Sequence, residues 1–336
     1  MKKPRRRSCS FSLYALLALL VSLAGVAAYT AYDNQRLIVV EHELTLPRLP
    51  ASFDGFRILL ISDMHGAAFG ERQARLVSAI NRLDYDMIAF AGDMSDSLDG
   101  TADPASLQAV LDLLDGLTDK TYIFWVDGNW GPYALESAAG SFGEIPTDFG
   151  DQRQARGVRL LALPFPIQRG ADRLWITPRL SEAVLEWDRR TFKALNYPQF
   201  EPAHAKAVQA YQALRSSGEV KILLSHFPLP ANLPAAETAA WQELDYDLIL
   251  AGHYHGGQMR LPFIGALYIP SSNDGLFGTG FLPDQNIVKG VSYFGSTPQV
   301  VSAGLGASSP VRWLRFRLFN TPEVNLVTLR SPAPQP

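Results

Sequence analysis

Cysteine is almost absent from this 336-residue chain, and Cys9 is its only copy. That residue precedes the apolar N-terminal run, so the rest of the chain can hold neither a disulfide framework nor a thiolate metal site. An excess of charge of one sign is also lacking. Thirty Lys and Arg against 33 Asp and Glu leave a net −3, which implies neither a broad basic surface for nucleic acid nor an acidic tail. No repeat of fixed period is visible, and low-complexity sequence is confined to the Pro-rich end from Ser331 to Pro336. Histidine is scarce, with six copies, yet four of them (His65, His226, His253 and His255) follow β-like runs beside Gly, Asp or Pro. Core or surface histidines would scatter. Metal ligands gather at strand ends in this way.

Residues 1–10 form a basic tail, and an uncharged apolar run follows from Phe11 to Tyr29. Spanning a bilayer takes about 20 such residues, so the run reads as a membrane anchor. A cleaved signal peptide is the alternative, because Ala24, Gly25, Ala27 and Ala28 offer small cleavage-site residues. Five cations before an uncharged run argue against a core helix and favour a cytoplasmic N-terminus. The expectation is a single-pass protein of the bacterial inner membrane with its domain on the periplasmic side, and with the lipid bilayer as a partner. Residues 30–55 read as a linker with an opening strand (37–40 extended), and 56–330 as one large α/β domain.

The body repeats one pattern, an apolar run ending in a polar, Gly-rich turn. Residues 57–62 end at Asp63, 87–91 at Gly92-Asp93, 122–126 at Asp127-Gly128-Asn129, 220–224 at Ser225-His226, and 247–251 at Gly252-His253. Near-continuous apolar runs suit strands covered on both faces. Helical stretches over 71–82 and 104–116, the second with Asp103 as N-cap, imply βαβ units. Another helix is expected over 202–214, in a region (164–217) expected to rim the site. Residues 312–319 and 324–329 read as an antiparallel hairpin, which makes the sheets mixed. Arg153, Arg156 and Arg159 read as a solvated face.

Open α/β sheets bind ligands beyond the carboxyl ends of their strands, so the polar turns can converge. They would bring together Asp63, His65, Asp93, Asn129, His226, His253 and His255. Two carboxylates, an amide and four imidazoles suit Mn, Fe, Zn, Co or Ni. Seven groups exceed one coordination sphere, whereas two divalent metal ions sharing a carboxylate account for them. Taken singly, each element reads as ordinary turn or core structure. Their order is what carries information.

That order is Asp-x-His, Gly-Asp-x-x-Asp, Gly-Asn, His, Gly-His-x-His. It resembles the calcineurin-like metallophosphoesterase family, and the extended Gly252-His-Tyr-His-Gly-Gly-Gln258 with Leu261-Pro262 resembles its membrane-anchored bacterial branch. The resemblance implies a four-layer αββα sandwich of two mixed β-sheets over 56–330. It also implies a two-metal-activated water that hydrolyses a phosphodiester or pyrophosphate bond. One metal would take Asp63, His65, Asp93 and His255. The other would take Asp93, Asn129, His226 and His253, with Asp93 bridging and Asp96 supporting. The chain departs from the pattern at one place. Where the family has His and an acidic residue after Gly-Asn, this chain has Trp130-Gly131. Loss of a positioned acid penalises poor leaving groups most, so activated esters or pyrophosphates are the expected substrates, lipid-linked or nucleotide-containing. UDP-2,3-diacylglucosamine, a lipid A precursor, is one such candidate. A non-catalytic metal-binding scaffold with a degenerate site is the reading from a different class. A nucleic-acid substrate is not expected, since no basic patch with interleaved aromatics appears.

Overall fold

A computed structural model of the chain describes residues 8–98, 101–131, 135–136, 145–146, 148–179, 201–229, 242, 244–270, 279–309 and 314–333. The basic tail up to Arg7, and the middle of the stretch expected to rim the site (180–200), lie outside these residues.

Helix α1 (Ser8–Asp33) continues one turn beyond the apolar run. Its span Ser12–Asp33 is long and apolar enough to cross a membrane, and its apolar residues are exposed. Strand β1 (Ile38–Thr45) follows after a four-residue turn. The expected opening strand is thus longer than residues 37–40.

Sheet one comprises β1, β2 (Arg57–Ile61), β3 (Met87–Ala91), β4 (Ile123–Val126), β5 (Val158–Leu160) and the last strand, Glu323–Arg330. That last strand lies between β1 and β2, parallel to β1 and antiparallel to β2, and β2 to β5 follow in parallel. Sheet two runs β6 (Phe165–Arg169), β7 (Asp172–Thr177), β8 (Val220–Leu224), β9 (Leu248–Ala251), Thr297–Val301 and Gly290–Phe294, with antiparallel pairs at its two edges. Both sheets are mixed, as expected.

Alternation along the strands makes four layers, because successive side chains point to opposite faces. In β2, Ile58 and Leu60 face inward to meet Ile222, Leu224, Leu248 and Leu250 of sheet two. Their neighbours Leu59 and Ile61 face outward, onto Leu76 of α2 (Ala74–Ile80) and Val110 and Leu114 of α3 (Pro104–Gly116). Helix α4 (Asp148–Gln154) lies on the same outer face through Phe149. On the far side, Ala207, Tyr211 and Leu214 of α5 (Glu201–Ser216) cover Leu223 and Ile249. Burying both faces of each strand is why these runs are apolar throughout.

Several local expectations change. The Asp103 side chain does cap α3, accepting from the N–H of Ala105 at 3.1 Å. The stretch 71–82 is not one helix. Arg72 and Gln73 take left-handed backbone (φ 47° and 60°) because the buried Gln73 amide turns back, accepting from Phe69 N–H and donating to Ala67 carbonyl. The C-terminal hairpin is absent among the described residues. The final strand pairs only within sheet one, while Leu314–Phe319 contribute a single parallel bridge, Met259 to Leu318. Two neighbours in sheet one, with all but two of the strand's residues buried, outweigh the local turn signal at Asn320–Glu323. Arg153 is fully buried between the Trp125 and Phe149 rings at 4.1 Å each. Burial pushes its pKa down to about 10, against the pull of Asp127. Of the expected solvated arginines only Arg159 is exposed, and Arg156 pairs with Asp115.

Candidate metal centre

All seven predicted side chains converge at the carboxyl ends of β2, β3, β4, β8 and β9. The loops after β2 and β3 are laced together: Asp63 N–H donates to Gly92 carbonyl, and His65 N–H to Asp93 carbonyl, both at 3.0 Å. The chain leaves each strand abruptly. Asp63, His65, Asp93, His253 and His255 all sit in left-handed backbone, with φ from 46° to 72°. Non-glycine residues adopt this conformation at a cost, and they cluster where function demands it. Two motif glycines serve close approach. A Cβ on Gly128 would stand 2.0 Å from Asp93 Oδ1, and one on Gly252 would stand 2.3 Å from Asp63 Oδ2.

His226 is buried. Its Nδ1 donates to Ala91 carbonyl at 2.8 Å, which leaves the lone pair on Nε2. His253 donates from Nε2 to Pro270 carbonyl at 3.1 Å, which leaves its lone pair on Nδ1. These two free nitrogens are 3.1 Å apart. Asn129 Oδ1 stands 2.8 Å and Asp93 Oδ2 3.3 Å from His226 Nε2. Four acceptors thus crowd one point, an arrangement that calls for a cation. Nearby, His65 and His255 stack with centroids 5.0 Å apart. His255 Nε2 is 3.6 Å from Asp63 Oδ1, and His65 Nε2 is 3.6 Å from Asp93 Oδ2. Neither nitrogen of the buried His65 has a hydrogen-bond partner among the described residues. Asp63, His65 and His255 offer ligand atoms within 4.8 Å of one another, and so do Asp63, Asp93 and His226. The donor set fits two divalent cations side by side.

The electrostatics agree. Burial raises the Asp63 pKa, reinforced by the Asp93 charge and opposed by His226 and His65. Burial lowers His255 far below its usual value and His253 to about 4, with neighbouring positive charge adding to both. Burial also pulls His226 down, but its hydrogen bond to Asp93 and the two carboxylate charges raise it overall. The carboxylate charge that raises His226 is the charge a bound cation would answer.

Sequence reasoning missed a second layer, carried by 314–321. Arg315 meets Asp96 through Nη1, lies 5.8 Å over the Trp130 ring, and has a buried Nη2 without a hydrogen-bond partner. Asp96 lies 3.9 Å from His65 Nδ1. The buried Arg317 donates to the carbonyls of Gly306, His255 and Asn320 at 2.7, 3.2 and 2.8 Å, and Asn320 also donates to His255 carbonyl. The Trp130 ring packs edge-on to His65, and the Trp130 backbone N–H donates to Asp93 Oδ1 at 2.8 Å. No motif flags the two arginines, since Arg315 is 219 residues from Asp96.

Two mixed sheets closing over such a cluster define a metal-dependent phosphoesterase. Residues 56–257 match the calcineurin-like phosphoesterase family, and the chain belongs to it. It is a hydrolase acting on phosphoesters. It is 27% identical over 337 residues to the metallophosphoesterase YkuE of Bacillus subtilis (strain 168), covering 98% of this chain and 99% of that one. It is also 27% identical to a transmembrane protein with metallophosphoesterase domain from Danio rerio, over 85% of this chain and 60% of that one. A protein of the same description from Bos taurus is 24% identical over 88% of this chain and 61% of its own.

Proposed function

We propose that this chain is a membrane-anchored phosphoesterase working with two divalent metal ions on a phosphodiester or phosphoanhydride bond, with a lipid-linked molecule as the favoured substrate class. Asp63, His65, Asp93 and His255 would hold one ion. Asp93, Asn129, His226 and His253 would hold the other, with Asp93 shared. The single observation behind this reading is the convergence of unprotonated acceptors around His226 Nε2, beside a buried His65 with both nitrogens unpartnered. When bound, such an ion pair supplies Lewis acidity and makes a water nucleophilic near neutral pH.

The chain's own residues do the rest. Ala91 and Pro270 carbonyls fix the tautomers of His226 and His253, and Trp130 N–H fixes the Asp93 carboxylate. Arg315 has an unused buried donor to offer a phosphate oxygen. Trp130 has no proton to give a leaving group, which favours aryl esters and anhydrides. The pyrophosphate of UDP-2,3-diacylglucosamine is a bond of this kind, but a cytosolic nucleotide sugar conflicts with the outward-facing domain that the basic N-terminus supports. The exposed apolar face of α1 supports anchoring in the bacterial inner membrane.

The test is metal analysis of the purified full chain, alongside turnover of bis-p-nitrophenyl phosphate, a nucleotide sugar and a lipid phosphate. Two ions per chain, with activity lost to a strong chelator and to Asp93→Asn, are expected. Hydrolysis indifferent to both would overturn the assignment.

A further inference from the structure

The end of α1 is tied to the layer that braces the metal centre. Asn34, just past the helix, exchanges hydrogen bonds with the Arg317 backbone, accepting from its N–H at 2.7 Å and donating to its carbonyl at 2.6 Å. Asp33, fully buried, accepts from Thr321 at 2.7 Å. The Tyr29 and Phe319 rings meet at 5.5 Å. Going from Arg317 to Phe319, the chain therefore moves from Asn34 back along α1 toward its apolar part. Leu318 bridges Met259 in parallel, so the strand leaving Met259 runs in that same direction.

That strand is β10 (Arg260–Leu261), which turns through Pro262, Phe263 and Ile264 into β11 (Gly265–Ala266). The turn presents apolar side chains to solvent: Phe263 is 109% and Ile264 53% exposed. Beside it lie the exposed Tyr268 and Phe281, their tilted rings 5.1 Å apart, with the exposed Leu282. Tyr29 lies about 7 Å up the helix axis from Asn34. Met259 to Phe263 reaches at most about 13 Å. That reach is long enough to bring the tip to the depth of the last turns of α1. Exposed Tyr32 marks this level as interfacial, and the exposed Arg36 just past the helix, though paired with Asp33, suits anionic headgroups.

We propose that the β10–β11 turn is a second membrane contact, its Phe263 and Ile264 embedded at the boundary between headgroups and acyl chains. This rests on α1 being a bilayer helix. The loop then runs to Pro270, whose carbonyl holds His253, so the contact sets the metal centre beside the lipid surface rather than facing bulk water.

The test uses the full chain with Cys9→Ser, reconstituted into phosphatidylethanolamine–phosphatidylglycerol vesicles. An environment-sensitive fluorophore goes on Phe263→Cys, a fully exposed position, or, separately, on the half-exposed Ile264→Cys. Gly218→Cys, exposed with open space around it at the opposite end of the sheet, is the reference. The expected result is blue-shifted emission at 263 and 264, with quenching by a headgroup-proximal lipid nitroxide several-fold stronger than at 218. Protein that floats with the vesicles while all three probes respond alike, to aqueous iodide only, overturns the second contact and leaves α1 intact. Protein that does not float overturns the α1 reading and this one with it.

Discussion

The backbone N–H of His253 donates to both oxygens of Asp63, at 3.1 and 3.0 Å, across 190 residues of chain. One carboxylate thereby ties the ends of β2 and β9, and so sheet one to sheet two, within the cluster of candidate metal ligands. Asp63→Asn keeps the shape but loses the charge and half of its acceptors. We expect at least one ion per chain to be lost and hydrolysis to fall to background, with the circular dichroism spectrum unchanged. Metal analysis beside turnover checks this.

Arg317 aims three donors at buried carbonyls, one of them on His255. Burial lowers its pKa to about 10, with Glu323 opposing. Leaving a buried acceptor unpaired costs about 1–3 kcal/mol, and loss of such outer support weakens metal binding by about 10–100-fold. Arg317→Met is expected to lower the melting temperature and weaken metal affinity together. Titration calorimetry below the new midpoint separates the two.

Arg315 connects Asp96, near His65, to Trp130. Arg315→Ala should raise KM for a phosphodiester while metal stoichiometry stays at two. A drop in bound metal instead would make Arg315 a brace for Asp96 rather than a phosphate contact.

Trp130 stands where relatives of the resembled pattern carry an acid. Positioned acids contribute about 10²–10⁴-fold, and the gain is largest for poor leaving groups. Trp130→His is therefore expected to speed an alkyl phosphodiester far more than bis-p-nitrophenyl phosphate. An equal factor on both, measured as kcat/KM, would refute the leaving-group account.

The metal-free protein should lose stability in acid. His253 has a pKa of about 4 against an ordinary 6.5, lowered by burial and by His226. Between those values the unfolded chain binds a proton that the native state refuses, so stability falls as pH drops through that window. His226, raised overall, acts in the opposite sense, losing its contribution as pH climbs through its folded value. Urea midpoints in chelator from pH 7 to 4 should slope less steeply for His253→Gln than for the parent.

The strand runs, and the turns that end them, were legible because a strand buried on both faces must be apolar along its length. Leu59, Leu60 and Ile61 need no partner information to be read that way. Asp63, His65, Asp93, Asn129, His226, His253 and His255 were legible for a related reason, since a chemistry that needs N and O donors restricts residue types at fixed offsets from strand ends. Tertiary structure alone decided the rest. Glu323–Arg330 gained two sheet neighbours instead of a local hairpin partner. Arg153 left the surface for two aromatic faces, and Gln73 spent its amide on its own backbone. Arg315 and Arg317 reached the centre only because the C-terminal segment folds back over it. Each outcome depends on which distant groups share a dry space, and hydrogen bonds and charges there are settled by three-dimensional proximity, which the spacing of residues along the chain does not encode.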